Sequence, residues 1–199
     1  GFIDLVRTPE MRKRTLVVFF LWPVVSMIYY GLSMKSNMLG GDLHTNFIIS
    51  GFIEIPALII VFLLIDRIGR RYVLTIGYSL SGICLLSNLL IPDNANEIIS
   101  LIQFAVSKGS ITGTFISIYM FTPELFPTEV RNLTMGMCST IAQIGAIISS
   151  FATMWIADSV GKIFIIIPFG VLALCAASLM LVFLPETMNK PLPATIDEV

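Results

Sequence analysis

Asp66-Arg67-Ile68-Gly69-Arg70-Arg71 decides the fold. This charged stretch is wedged between two apolar runs, residues 46–65 and 72–91. In a helix, about 20 residues rise about 30 Å, the thickness of a bilayer's hydrocarbon core. The stretch therefore reads as a tight loop joining two membrane-spanning helices. Its three arginines assign it to the cytosolic side.

Working outward, apolar segments recur at 15–34, 46–65, 72–91, 98–121, 133–157 and 163–184. The chain of 199 residues is 56% hydrophobic and 13% charged, with a mean hydropathy of +0.90. A soluble domain carries about 25% charged residues. Lipid is the solvent this composition fits. In lipid the backbone has to satisfy its own polar groups, so each apolar run is expected to be a helix. The expectation is an all-α, six-helix membrane domain over residues 15–184. A basic cytosolic segment, 1–14, precedes it, and a cytosolic tail, 185–199, follows. Gly1 opens the chain where no starting Met stands, so a piece of a longer protein is expected.

The basic residues sort between the two faces. Arg7, Arg12, Lys13, Arg14, Arg67, Arg70, Arg71, Arg131 and Lys190 share one face, whereas Lys35 and Lys162 share the other. That asymmetry predicts cytosolic termini. Net charge is −1, which points to no nucleic-acid partner. Cys84, Cys138 and Cys175 lie inside apolar runs and read as core filler. Asn132-Leu133-Thr134 is a glycosylation sequon by pattern, but on the cytosolic side it is expected to stay unmodified.

Charges at membrane depth are costly and line cavities or pair with one another. Glu54 sits in the middle of the second span and Lys108 in the fourth. They read as a polar translocation path, or as a structural pair, with Lys108 alternatively snorkelling to the headgroups. The fourth span also carries Ser107, Ser110, Thr112, Thr114 and Ser117, with Gly109 and Gly113 spaced for close helix packing. Gln143 is a hydrogen-bonding group at mid-depth in the fifth. In the first span Trp22 and Tyr29 are spaced to share a face beside Tyr30, as a π surface for a cationic or aromatic solute, the two tyrosines alternatively serving as interface anchors.

Charged residues also gather at the cytosolic junctions. Asp66, Glu124, Glu129 and Glu186 fall near Arg67, Arg70, Arg71 and Arg131. Gly69 permits the positive φ of a short turn. Asp66 is placed to dock on the N-terminus of a neighbouring helix. Such a cluster can break and re-form as helices rock.

These residues resemble the carboxyl-terminal half of the major facilitator superfamily, and within it the organic cation/anion/carnitine transporter family. The resemblance runs through Arg7-Thr8-Pro9 with Arg12 to Thr15, Tyr30-Gly31-Leu32, Glu54-Ile55-Pro56 and Asp66 to Arg71. It continues through Glu124 to Thr128 with Arg131-Asn132, Ile144-Gly145, Pro185-Glu186-Thr187 and Leu192-Pro193. It implies one half of a twelve-helix protein that moves small organic ions by alternating access, and hence a plasma-membrane location. It places Trp22, Tyr29, Tyr30, Glu54, Lys108, Ile116 and Gln143 at the substrate. It makes Asp66, Arg67, Gly69, Arg70, Arg71, Glu124, Arg131 and Glu186 a cytosolic latch. The implied partners are the bilayer, an organic ion and an amino-terminal six-helix half.

Three positions depart from the pattern. Gln143 is uncharged where many relatives are acidic or basic. Ile116 stands where cation transporters are often polar. Met188-Asn189 follows Pro-Glu-Thr in place of Lys-Gly. The lean is towards cations or zwitterions. A non-transporting truncated product or a structural membrane protein is the competing reading. Hydrolase and zinc-protease motifs are missing, and His44, the single histidine, reads as a solvated loop residue. Neither enzymatic activity nor a cofactor is expected.

Overall fold

The computed structural model describes residues 2–35, 43–90, 97–156, 159, 161, 163–187, 190–195 and 199. Among the described residues six α-helices carry the fold: α1 Pro9–Lys35, α2 Leu43–Leu64, α3 Arg70–Ser87, α4 Glu97–Leu125, α5 Thr128–Phe151 and α6 Ile163–Phe183. A 3-10 turn, Phe2–Val6, leads into α1, another, Asn88–Leu90, ends α3, and a π turn, Ala152–Ile156, extends α5. No strand occurs among the described residues. The molecule is an all-α membrane bundle of the kind that forms half of a major facilitator transporter.

Helix ends follow local chemistry. Pro127, with φ −65° and ψ 156°, leads into α5 in extended geometry. A residue before proline is pushed out of the helical region, so α4 stops at Leu125. Two arginines satisfy the carbonyls stranded there. Arg14 Nη1 donates to Leu125 O at 2.6 Å. Arg131 donates from Nε to Pro123 O at 2.8 Å and from Nη2 to Phe126 O at 3.1 Å. The tail serves the other side of this junction, where the Thr128 amide donates to Pro193 O at 3.2 Å.

Helix α1 is the central element and packs on α4, α5 and α6, while α3 packs on α4 and α6. Val18, Leu21, Trp22, Val25 and Ile28 on α1 are buried. The α1–α5 seam is close and joined by hydroxyls. Ser26 donates to Ala142 O and Ser149 to Met27 O, each at 2.7 Å. Gly145 makes this approach possible, because a Cβ there would stand 2.8 Å from Pro23 O. We expect Gly145→Val to lower stability by about 1–3 kcal/mol, since backbone cannot rotate away from the added methyls. Thermal unfolding of the purified protein measures this.

Among the described residues, four helical segments are long and apolar enough to cross a membrane: Pro9–Ser33, Arg70–Leu90, Thr128–Ile156 and Ile163–Phe183. Among the described residues α2 contributes the apolar stretch Ile48–Leu64. In α4 the run is diluted by Ser107, Lys108 and the hydroxyls after them. These two helices pack on each other through the spacing of Gly109 and Gly113, which lie against Ile53, Ala57 and Val61. They are also the helices that carry Glu54 and Lys108.

Three expectations change. The turn after α2 is shorter than six residues, because Arg70 and Arg71 already belong to α3. His44 lies in the first turn of α2 rather than in a loop, though it is exposed. Cys175 is exposed on α6, so it fills no core, whereas Cys138 is buried and Cys84 half-buried. Lys162, Met188-Asn189 and residues 91–96 lie outside the described residues.

Candidate functional site

Tyr29, Glu54 and Lys108 come from three helices and meet at one point. The Tyr29 hydroxyl donates to Glu54 Oε1 at 2.9 Å. Lys108 Nζ lies 3.6 Å from the same oxygen. It also lies 3.6 Å from the centroid of the Tyr29 ring, a cation–π contact. The ammonium further donates to Ser33 Oγ and, at 3.5 Å, to Tyr29 O. Lys108 does not snorkel: its side chain is 1% exposed. Glu54 is 30% exposed and opens the cluster to the surface. A charge so deeply desolvated persists when it is paired and hydrogen-bonded, and this one is both.

An aromatic row continues from this cluster along α1 and α4. Tyr29 meets Tyr30 and Phe115 edge to face, with centroids 5.3 and 5.4 Å apart. Phe115 stacks on Tyr119 at 5.5 Å, and Tyr119 meets Trp22 edge-on at 4.7 Å. Trp22 is fully buried behind this row, and its Nε1 donates to Thr122 Oγ1 at 3.0 Å. Its spacing to Tyr29 therefore does not give it the same exposure, because α4 covers it. Ile116 is half-buried, and Gln143 is exposed on α5. Gln143 takes no part in the hydrogen bonds of the Tyr29–Glu54–Lys108 cluster. Ser33, Phe115, Tyr119 and Thr122 also belong to this region, though no charge or motif singles them out in the sequence. A signal was available for two of them, since Lys108, Phe115 and Tyr119 recur at i, i+7 and i+11 on one helix face.

The junctions after α2, α4 and α6 form a second charged group. Glu186 approaches the first turn of α3. It accepts from the Arg70 amide at Oε1, 3.1 Å, and from the Arg71 amide at Oε2, 3.2 Å. Gly69, with φ 92°, sits directly under this carboxylate. Glu186 thus fills the place expected of Asp66, a carboxylate on a helix N-terminus. Asp66 instead is 76% exposed and pairs with Arg70 at 3.2 Å. Arg70 Nε also lies 3.4 Å from Glu124 Oε2, which accepts a hydrogen bond from Thr187. Arg71 donates to Leu181 O. Arg131 faces backbone carbonyls and, among the described residues, no carboxylate. Arg67 is exposed and forms no ion pair among the described residues. The group ties together the α2–α3 turn, the end of α4 and the tail.

Among the described residues no cluster of three His, Cys, Asp or Glu could hold a metal. What the first site can do is hold an ammonium group, since it supplies a carboxylate, a hydroxyl, a carbonyl and a ring face.

A family model described as sugar (and other) transporter matches residues 4–197. The chain is 39% identical over 198 residues to an organic cation transporter protein of Drosophila melanogaster, covering 98% of the chain and 35% of that protein. It is 36% identical to solute carrier family 22 member 2 of Mus musculus, covering 100% of the chain and 35% of the relative. It is 35% identical to solute carrier family 22 member 3 of Rattus norvegicus, covering 99% and 35%. The chain spans about a third of the length of these relatives. They are transporters, not enzymes.

Proposed function

Because the chain belongs to the sugar (and other) transporter family, we propose that it is the carboxyl-terminal half of a transporter that moves small organic ions, cations foremost, by alternating access. The observation that carries this reading is the cage of Glu54, Tyr29 and Ser33 around an ammonium, set inside an apolar bundle. The names of the relatives support the cation lean. In this reading Tyr29, Tyr30, Glu54, Lys108, Ile116 and Gln143 face the substrate, and Trp22 braces the aromatic row. The Glu186–α3 and Arg70–Glu124 contacts hold the cytosolic side closed and part as the two halves rock. The protein resides in the plasma membrane with both termini cytosolic.

Six helices make one wall of such a cavity, so we expect uptake of a labelled organic cation from co-expression with a matching amino-terminal half. Cells expressing this chain alone should match untransfected cells. Robust uptake by the chain alone, or none by the pair at normal surface abundance, would overturn the proposal. Within the pair, Gln143→Asp should lower the half-saturating cation concentration about fivefold, as an added charge contributes about 1 kcal/mol across a wet cavity. An unchanged value at equal abundance removes Gln143 from the site.

A further inference from the structure

We infer that Lys108 is a tethered occupant of the cation site, which a substrate's ammonium group displaces from Glu54 and Tyr29. This rests on the cation reading above and adds a built-in competitor to it. The groups around Lys108 Nζ are those that would recognise a free alkylammonium: Glu54 Oε1 at 3.6 Å, the Tyr29 ring at 3.6 Å, Tyr29 O at 3.5 Å, and Ser33 Oγ. The cage is therefore formed, and filled by the protein itself. Its two sides differ. The lysine is sealed at 1% exposure, while Glu54 at 30% and Tyr30 at 43% stay reachable. A substrate can thus approach the carboxylate and the aromatic row before the lysine leaves.

A tethered group competes at an effective concentration set by its tether, millimolar or above for short links. Apparent affinity then falls by the fraction of time the cage is empty. If that fraction is about a tenth, removing the lysine strengthens cation binding about tenfold.

Two variants separate occupancy from simple charge. Lys108→Ala removes the charge and leaves the space. Lys108→Met removes the charge and refills the space. The probe is n-propylammonium, which is the lysine side chain beyond Cβ. Thermal unfolding of the purified full-length protein is followed in its chloride salt against sodium chloride. Lys108→Ala is expected to gain several degrees, consistent with ligand linkage, and wild type and Lys108→Met clearly less at the same concentration. In uptake assays the half-saturating concentration of an organic cation falls about tenfold in Lys108→Ala and less in Lys108→Met.

Equal responses of the two variants, or no response in Lys108→Ala, overturn the tether. If Lys108→Ala fails to accumulate, propylammonium in the growth medium should restore it, and no restoration counts equally against the tether. Stabilisation is read without transport. A wild type that moves no cation therefore sinks the functional proposal alone.

Discussion

Glu186→Ala is expected to lower the stability of the protein by about 2–3 kcal/mol, the cost of stranding two partly buried amides at a helix N-terminus. The Arg70 and Arg71 N–H groups are among the donors that an α-helix cannot satisfy internally. Both now point at Glu186, from 3.1 and 3.2 Å. Glu186→Gln keeps an acceptor but loses the charge, so about half of the loss should return. Asp66→Ala is the control in the same turn. At 76% exposure its pair with Arg70 is screened, and a change within about 0.5 kcal/mol is expected.

Gly69 tests the same contact from the other side. Its φ of 92° disfavours any L side chain, and an added Cβ would run into the Glu186 carboxylate. Gly69→Ala should therefore be less costly in a Glu186→Ala background than in wild type. Additive losses would mean that strain alone, and not the carboxylate, fixes this turn. Thermal unfolding of the four proteins completes the cycle.

The helices were legible because lipid leaves the backbone one solution, and an unbroken apolar run is the signal of it. The ends were less so. Gly69 and Pro127 mark where α3 and α5 begin. Nothing in the order of residues marks Arg14, which lies 111 positions from the α4 carbonyl it caps. Glu54 and Lys108 stood out as charges at depth, and depth made them partners. Asp66 is the carboxylate adjacent in sequence, but Glu186 is the one that caps α3; it lies 116 positions from Arg70 and arrives only through the packing of α6 on α3. Trp22 shows the limit of spacing. Periodicity placed it on the face of Tyr29, yet Thr122 on a different helix decides that it is covered.

Glu54→Leu is expected to be the more damaging half of its ion pair, costing about 3–5 kcal/mol and on the order of 10 °C in melting temperature. The asymmetry follows from burial. Without Glu54, an ammonium at 1% exposure keeps a hydroxyl, a carbonyl and a ring face but no counter-charge. Without Lys108, a carboxylate at 30% exposure keeps the Tyr29 hydroxyl and can draw in water. Lys108→Met should thus cost about 1–2 kcal/mol, and removing both charges should cost less than removing Glu54 alone. Two apolar side chains of similar volume replace a pair whose desolvation offsets most of its attraction. The double variant should then be stable and unable to hold an organic cation. That outcome separates the two roles of the pair, since stability returns while cation uptake does not. If Glu54→Leu and Lys108→Met cost the same, the lysine is reached by water, and the sealed cage proposed for it does not exist.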